Sequence, residues 1–372
     1  MSKSKRTLRK SSRSRREFIP VAGPEDLDKP VDADIRVDAV PPQRHKLSLM
    51  VGGEAVSGVR IVDFSQQIGS QEVRMGGIAG VETHKDHRLK GYSRRVMVNS
   101  LRWMRREGFD VSMLLGIEDF YPKFGYAEAF PHICFKVAVR DAEAATPAGY
   151  RFVDYAPGYL KAALAMYHRN NAGRTGPIRR DPKQWVPFRR GIQWGIKAVC
   201  KVALDRTGRP VGYFVYEGRP LVARIVEVGF ATPAVFGDIL RAAGKIAWRC
   251  RLEQIEFVLP EDDAFVGFSL PLGVRKEVTY RRDGGGMVRM INIASSLKAV
   301  ASDLAGRMDK PGLLNIRTNL DSVSLFWSCG RLKVGRPVAD PSPTGRYGCR
   351  NGRWLNFCMD ITPLRQWLQT AS

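Results

Sequence analysis

The chain has 372 residues, of which 44% are apolar, and a formal net charge of +23. That length exceeds the span of one ordinary core, so two or three domains are expected. No window approaches the about 18 consecutive apolar residues of a membrane span, and the six cysteines and five histidines are scattered without a C-x-x-C pair or metal-ligand spacing. A transmembrane helix, a zinc site and a disulfide framework are therefore excluded, and reduced thiols in a metal-free cytoplasmic protein are expected.

The charge is uneven. Eight lysines and arginines, from Lys3 to Arg16, fall in the first sixteen residues with no acid among them. A segment so rich in serine and positive charge cannot bury a core, so it is expected to be a disordered tail that would attract RNA, DNA, ribosomes or anionic lipid. Arg15 and Arg16 look like the start of a twin-arginine export signal, but the stretch from Pro20 to Asp28 lacks the apolar region that export needs. Prolines at 20, 24, 30, 41 and 42 leave room for little more than one strand, at 35–40.

Residues 47–51 and 59–64, joined through Gly52-Gly53-Glu54, read as a hairpin, and 73–81 as a buried strand. Downstream Val96, Met97, Leu101 and Met104 recur at helical spacing with arginines between them. A strand at 111–115, a segment around Phe120-Tyr121 and a strand at 133–139 complete a β-β-β-α-β-α-β order. The break at 144–149 marks a boundary. Beyond it the plan repeats: a helix at 159–168, a hairpin of 198–204 and 210–216, a strand at 224–231, a helix at 236–249, a strand at 255–259 and a Phe-Gly segment at 268–273. The last part differs in character, with a helix at 295–307, strands at 313–319, 322–328, 331–335 and 353–359, and a short helix from 362.

The stretch between the 73–81 strand and the first long helix is the most informative. It runs Arg88-Leu89-Lys90-Gly91-Tyr92-Ser93-Arg94, a basic turn containing glycine that feeds a helix N-terminus. Free backbone N–H groups and the helix dipole favour an anion at such an end, and Gly91 lets the backbone approach it closely. About twenty-five residues on comes Phe120-Tyr121-Pro122-Lys123-Phe124-Gly125-Tyr126. The pair of motifs resembles the GNAT acetyltransferases, and the tandem arrangement with a small final module resembles the Eis-like members of that superfamily. The resemblance is carried by specific residues in the first domain and by architecture elsewhere.

This resemblance implies an α+β chain of two tandem GNAT folds, each a mixed twisted sheet flanked by helices, plus a sterol-carrier-protein-like module. The expected division is tail and lead-in at 1–34, catalytic domain at 35–146, degenerate second copy at 147–290 and final module at 291–372. It further implies acetyl-CoA as cosubstrate, with Val81 and Thr83 offering backbone groups to the pantetheine arm and Arg88, Leu89, Lys90, Gly91, Tyr92, Ser93 and Arg94 around the pyrophosphate. Ser93 replaces the usual small residue, and its hydroxyl is expected to cap the helix. The second copy enters its helix through Thr232-Pro233-Ala234-Val235, without the glycine turn, and is expected to bind no CoA.

Tyr121 matches the family's general acid toward the departing thiolate. Attack by a neutral amine also needs a base. Glu82 beside the CoA strand and the terminal carboxylate of Ser372 are the candidates, with Asp119 next to Tyr121 read as a solvated acid. The first strand and two helices that roof the acceptor cleft in the family are reduced here to the Pro-rich lead-in. An open cleft would suit an amine on a protein, or on a small molecule held in a pocket completed by a second copy in a homo-oligomer. Two other readings stay open: a CoA-binding protein without catalysis, and an RNA- or ribosome-associated protein acting through residues 1–16.

Overall fold

The computed structural model describes residues 24–337 other than 118, 184, 186, 189–195, 220–221, 283, 309 and 319–320. The basic tail, the expected strand at 353–359, the helix from 362 and Ser372 lie outside the described residues. In chain order the first part holds α1 (Pro24–Leu27), β1 (Ile35–Val40), β2 (Arg44–Val51), β3 (Glu54–Ile68), β4 (Gln71–Thr83), α2 (Tyr92–Arg106), β5 (Val111–Gly116), β6 (Ala127–Glu128), β7 (His132–Ala138) and α3 (Val139–Glu143). Then follow β8 (Arg151–Asp154), α4 (Leu160–Asn170), β9 (Ala198–Leu204), β10 (Pro210–Arg219), β11 (Val222–Phe230), α5 (Phe236–Arg249), β12 (Gln254–Phe257), α6 (Ala264–Ser269), β13 (Arg275–Thr279) and β14 (Gly285–Met290). The last elements are α7 (Ile293–Ala299), α8 (Ala301–Ala305), β15 (Gly312–Arg317), β16 (Ser322–Ser328) and β17 (Arg331–Gly335).

Two seven-stranded sheets have matching plans. The first runs β1-β2-β3-β4-β5-β14-β6 and the second β13-β7-β12-β11-β10-β9-β8. Each is antiparallel apart from one parallel pair, β4 with β5 and β11 with β12. The parallel pairs are the ones joined by the long helices α2 and α5, as a crossover connection requires. Each helix lays its apolar stripe on its own sheet: Val96, Met97, Leu101 and Met104 bury one core, and Phe236, Ile239, Leu240, Ala243 and Ala247 the other. Gly108, in the left-handed region at φ 75°, closes α2.

The sheets exchange strands. The segment expected to close the first sheet, here β7, lies in the second sheet between β12 and β13, paired antiparallel with both. The place it would have taken in the first sheet, between β5 and β6, is filled by β14 from the second half of the chain. Side-chain chemistry fits this placement: Lys136 on β7 lies 2.8 Å from Glu277 on β13 and 3.6 Å from Glu256 on β12. Hence the halves expected at 35–146 and 147–290 do not close separately.

Two further expectations are corrected. The lead-in is not irregular throughout: Leu27 is fully buried in the first core, and residues 24–34 bind the polar face of α2. Arg95 bonds Asp32 and Asp34, Arg102 bonds Asp32 and the Asp26 carbonyl, and Arg105 bonds Asp28. The acids of the lead-in thus neutralise arginines spaced along one helix face. The strand at 35–40 is present and pairs with β2, with no helix between the two. Secondly, the helix expected at 295–307 is two short helices broken at Val300. Val300 and Leu304 cover the sheet face opposite α2, against Val73, Met75 and Val111. The three strands β15, β16 and β17 form their own antiparallel sheet.

Candidate functional site

The central feature of the first sheet is a gap. Strands β4 and β5 pair only from Met75 to Gly77 against Val111 to Met113, although β4 continues to Thr83 and β5 to Gly116. Past that point the facing edges lack each other's hydrogen bonds, while β5 is fully paired with β14 on its other side. A bulge helps to separate them. Between Gly58↔Glu82 and Arg60↔Ala79 the register advances two residues on β3 and three on β4, so the extra residue lies at Gly80-Val81. Gly80 has φ 56° and a Cβ there would run into the Arg60 guanidinium, so glycine is what permits this turn of the strand. Val81 and Thr83 are half-buried beyond the bulge, and the Thr83 hydroxyl is fixed 2.8 Å from that of Ser57.

The chain leaves β4 through a single 3-10 turn at Lys85–His87 and enters α2 at Gly91. Gly91 is the N-cap, left-handed at φ 76° and ψ 8°, and no side chain caps the helix. Ser93 therefore does not cap as expected; it sits inside the first turn, where its hydroxyl cannot take the N-cap position. The first helical bond at this end runs from Arg95 N–H to the Gly91 carbonyl at 3.1 Å, leaving the N–H groups of Tyr92, Ser93 and Arg94 ahead of it. The first turn has no acid, and Arg88, Lys90 and Arg94 are exposed around it. Leu89 is left-handed at φ 63° and wholly exposed. Arg95 points elsewhere, held by Asp32 and Asp34. His87 stacks on Tyr92 with centroids 6.1 Å apart, and its Nδ1 is buried with no hydrogen-bond partner among the described residues. The residues present fit an extended, multiply anionic ligand: a strand edge with no facing strand, an uncapped helix start and three exposed cations, of which Arg88 donates to the Thr83 carbonyl at 3.4 Å.

On the other side of the gap, Tyr121 begins a 3-10 turn, Tyr121–Phe124, that ends at Gly125 with φ 76°. Its ring is half-buried against Phe120 at 4.9 Å and Tyr126 at 6.1 Å, and its hydroxyl has no hydrogen-bond partner among the described residues. Burial holds its pKa above the ordinary value of 10.0. Tyr126 is committed differently. Fully enclosed, its hydroxyl lies 2.6 Å from Ser112 Oγ, which donates to the Gly76 carbonyl at 2.8 Å; burial raises its pKa strongly. Tyr126 thus fastens the base of the gap, and Tyr121 is the phenol left for other work. Arg289 on β14 is a residue that motif reading missed. It is 2% exposed and donates through Nη1 to the Phe124 carbonyl, and burial lowers its pKa to about 10.

The acids are less committed. Glu82 is exposed on β4, its carbonyl accepting from Ser57 Oγ at 2.9 Å. Asp119 lies 3.6 Å from Arg282 at the surface. In the second sheet the parallel pair runs to the end of β12 at Phe257, and the helix that joins the pair starts differently. Thr232 Oγ1 accepts from Ala234 N–H, and Asp238 stands in the first turn of α5, accepting from Ala148 and Gly149 N–H at 2.8 and 3.1 Å.

With this geometry in view, the comparisons fall into place. Residues 29–129 match the acetyltransferase (GNAT) domain family. The fold recurs in a probable N-acyltransferase from Enterococcus faecalis (TM-score 0.63, 13% identity, 80% of this chain and 76% of that one). It recurs in a GCN5-related N-acetyltransferase from Anabaena variabilis (0.61, 17%, 80% and 76%) and in Eis1 from Mycobacterium abscessus (0.53, 18%, 81% and 78%). No curated protein matches the sequence. Residues 29–129 thus carry a GNAT acetyltransferase domain, of a family whose members in general bind acetyl-CoA and act on amine-bearing acceptors, and the chain has the fold of these solved structures, the Eis-like one included. Among the described residues no helix is long and apolar enough to cross a membrane.

Proposed function

We propose that this protein moves an acetyl group from acetyl-CoA to a primary amine by direct attack in a ternary complex. The observation that carries the reading is the gap between β4 and β5, flanked on one side by the uncapped basic start of α2 and on the other by Tyr121. Val81, Tyr92 and Tyr121 all pack on the same core cluster, so strand edge, anion site and phenol are parts of one framework.

In this reading the edges of Val81 and Thr83 hold the amide-bearing arm by sheet-like hydrogen bonds, and Arg88 to Arg94, with the helix N–H groups, hold the pyrophosphate. Bound acetyl-CoA supplies the thioester that the amine attacks. Tyr121, protonated throughout the neutral range because burial raises its pKa, gives a proton or hydrogen bond to the departing sulfur. Glu82 is the acid proposed to take up the amine proton. Residues 147–284 serve as scaffold and residues 291–372 as a sterol-carrier-protein-like module, in a cytoplasmic protein whose described cysteines are free thiols. The acceptor cleft, without a helix between β1 and β2, is open to a large acceptor.

The test is release of free CoA thiol from acetyl-CoA in the presence of a panel of primary amines, from amino acids and polyamines to lysine peptides. Amine-dependent release that Tyr121→Phe suppresses is the expected result. Tight binding of acetyl-CoA with no release for any amine would reduce the protein to a CoA-binding module.

A further inference from the structure

The general acid proposed above sits on a turn that packs on the first core and is held from the second half of the chain as well. Tyr121 to Gly125 connects β5 to the two-residue strand β6, and in the sheet β14 lies between those strands and pairs with both. Arg289 lies on β14 directly opposite Ser112 of β5, the residue whose hydroxyl bonds Tyr126 at the base of the gap. From there its guanidinium reaches the Phe124 carbonyl, the last residue of the Tyr121 turn. Gly125, next in the chain, is left-handed, and a Cβ at that position would lie 2.8 Å from Arg289 Nη1. Both features, the conformation and the close approach, call for glycine. A buried guanidinium carries a heavy desolvation cost, and a hydrophobic residue of similar length would fill the space more cheaply. Its rigid fork of donors is suited to fixing a carbonyl in one place.

We propose that Arg289 is the positioning residue for Tyr121: by holding the Phe124 carbonyl it fixes the Tyr121–Gly125 turn, so that the second half of the chain completes the catalytic site of the first. The inference rests on the reading of Tyr121 as the general acid, and the exchanged strand gains a purpose in it. The guanidinium acts through the turn and does not meet the substrates.

The test compares wild type with Arg289→Met and Arg289→Lys in the full chain, using amine-dependent CoA release and acetyl-CoA calorimetry. Arg289→Met is expected to lower kcat by about 10-fold or more while leaving acetyl-CoA affinity within about 2-fold, and Arg289→Lys, which keeps one donor, to recover much of the loss. A second measurement stands independent of turnover. In protein labelled with 3-fluorotyrosine, the Tyr121 fluorine signal, identified by its disappearance in Tyr121→Phe, should shift or split in both Arg289 variants, Arg289→Lys serving if Arg289→Met does not fold. An unmoved Tyr121 signal, or a kcat in Arg289→Met equal to wild type, overturns the proposal. A wild type inactive toward every amine yet with a Tyr121 signal that responds to Arg289 would instead reject the acetyltransferase reading and keep the positional one.

Discussion

The two halves build the same sheet and start their long helices in opposite ways. In the first, α2 opens on a left-handed glycine with no cap and no acid in its first turn, and exposed cations surround it. In the second, Thr232 bonds the chain just before α5, and Asp238 occupies the first turn. The linker 146–149 lies across that end: Ala148 and Gly149 donate to Asp238, and a Cβ on Gly237 would meet the Thr146 carbonyl. An anion at α5 would compete with a carboxylate already bonded there and with backbone packed against glycine. The parallel pair joined by a long helix is common to both sheets, so the sheet order alone does not make a ligand site; the residues at the helix start do.

Several substitutions would break or sharpen this contrast. The largest effect is expected for Tyr121→Phe, which should lower kcat by about 100-fold or more, in the range of a lost general acid, with acetyl-CoA affinity unchanged; parallel loss of both would assign Tyr121 to packing. Because burial raises its pKa above 10.0, the midpoint of any basic limb that this group gives the wild-type kcat should lie above pH 10.0, and a Tyr121-dependent midpoint below that would contradict the acid role. Next, Arg88→Glu with Lys90→Glu should weaken acetyl-CoA binding by about 10- to 100-fold, a loss of roughly 1.4–2.8 kcal/mol, read by calorimetry.

In the second half, Asp238→Ala should leave that affinity untouched and instead destabilise the fold by about 1–3 kcal/mol, since two backbone donors lose a charged acceptor; denaturant unfolding measures it. The smallest change is expected for Arg95→Ala. Its surface pairs with Asp32 and Asp34 are worth at most about 1 kcal/mol, and acetyl-CoA should not sense its loss, whereas Arg94→Ala, one residue earlier, should weaken binding.

Much of the candidate site was legible in the sequence because its signals are local. A glycine between basic residues at a strand-to-helix junction, and an aromatic turn ending in Phe-Gly, each depend on neighbours within a few positions, and the structure places both at the gap. What escaped depends on distant pairing. Residues 132–138 and 285–290 are short strands of similar pattern, and nothing within either says which sheet accepts it. The one available hint was Arg289, an arginine that shares the buried side of its strand with Met287. The acidic lead-in was likewise readable only against α2, whose arginines at 95, 102 and 105 line one face and find Asp28, Asp32 and Asp34. Ser93 failed as a cap because the left-handed Gly91 moves the helix start two residues earlier.

The most direct test of the account is the number of acetyl-CoA molecules the full chain binds. Calorimetric titration should give one site per chain, weakened by charge reversal at Arg88 and Lys90 and indifferent to Asp238→Ala. Two equivalent sites, or a single site that ignores Arg88 and Lys90 and responds to Asp238, would contradict it.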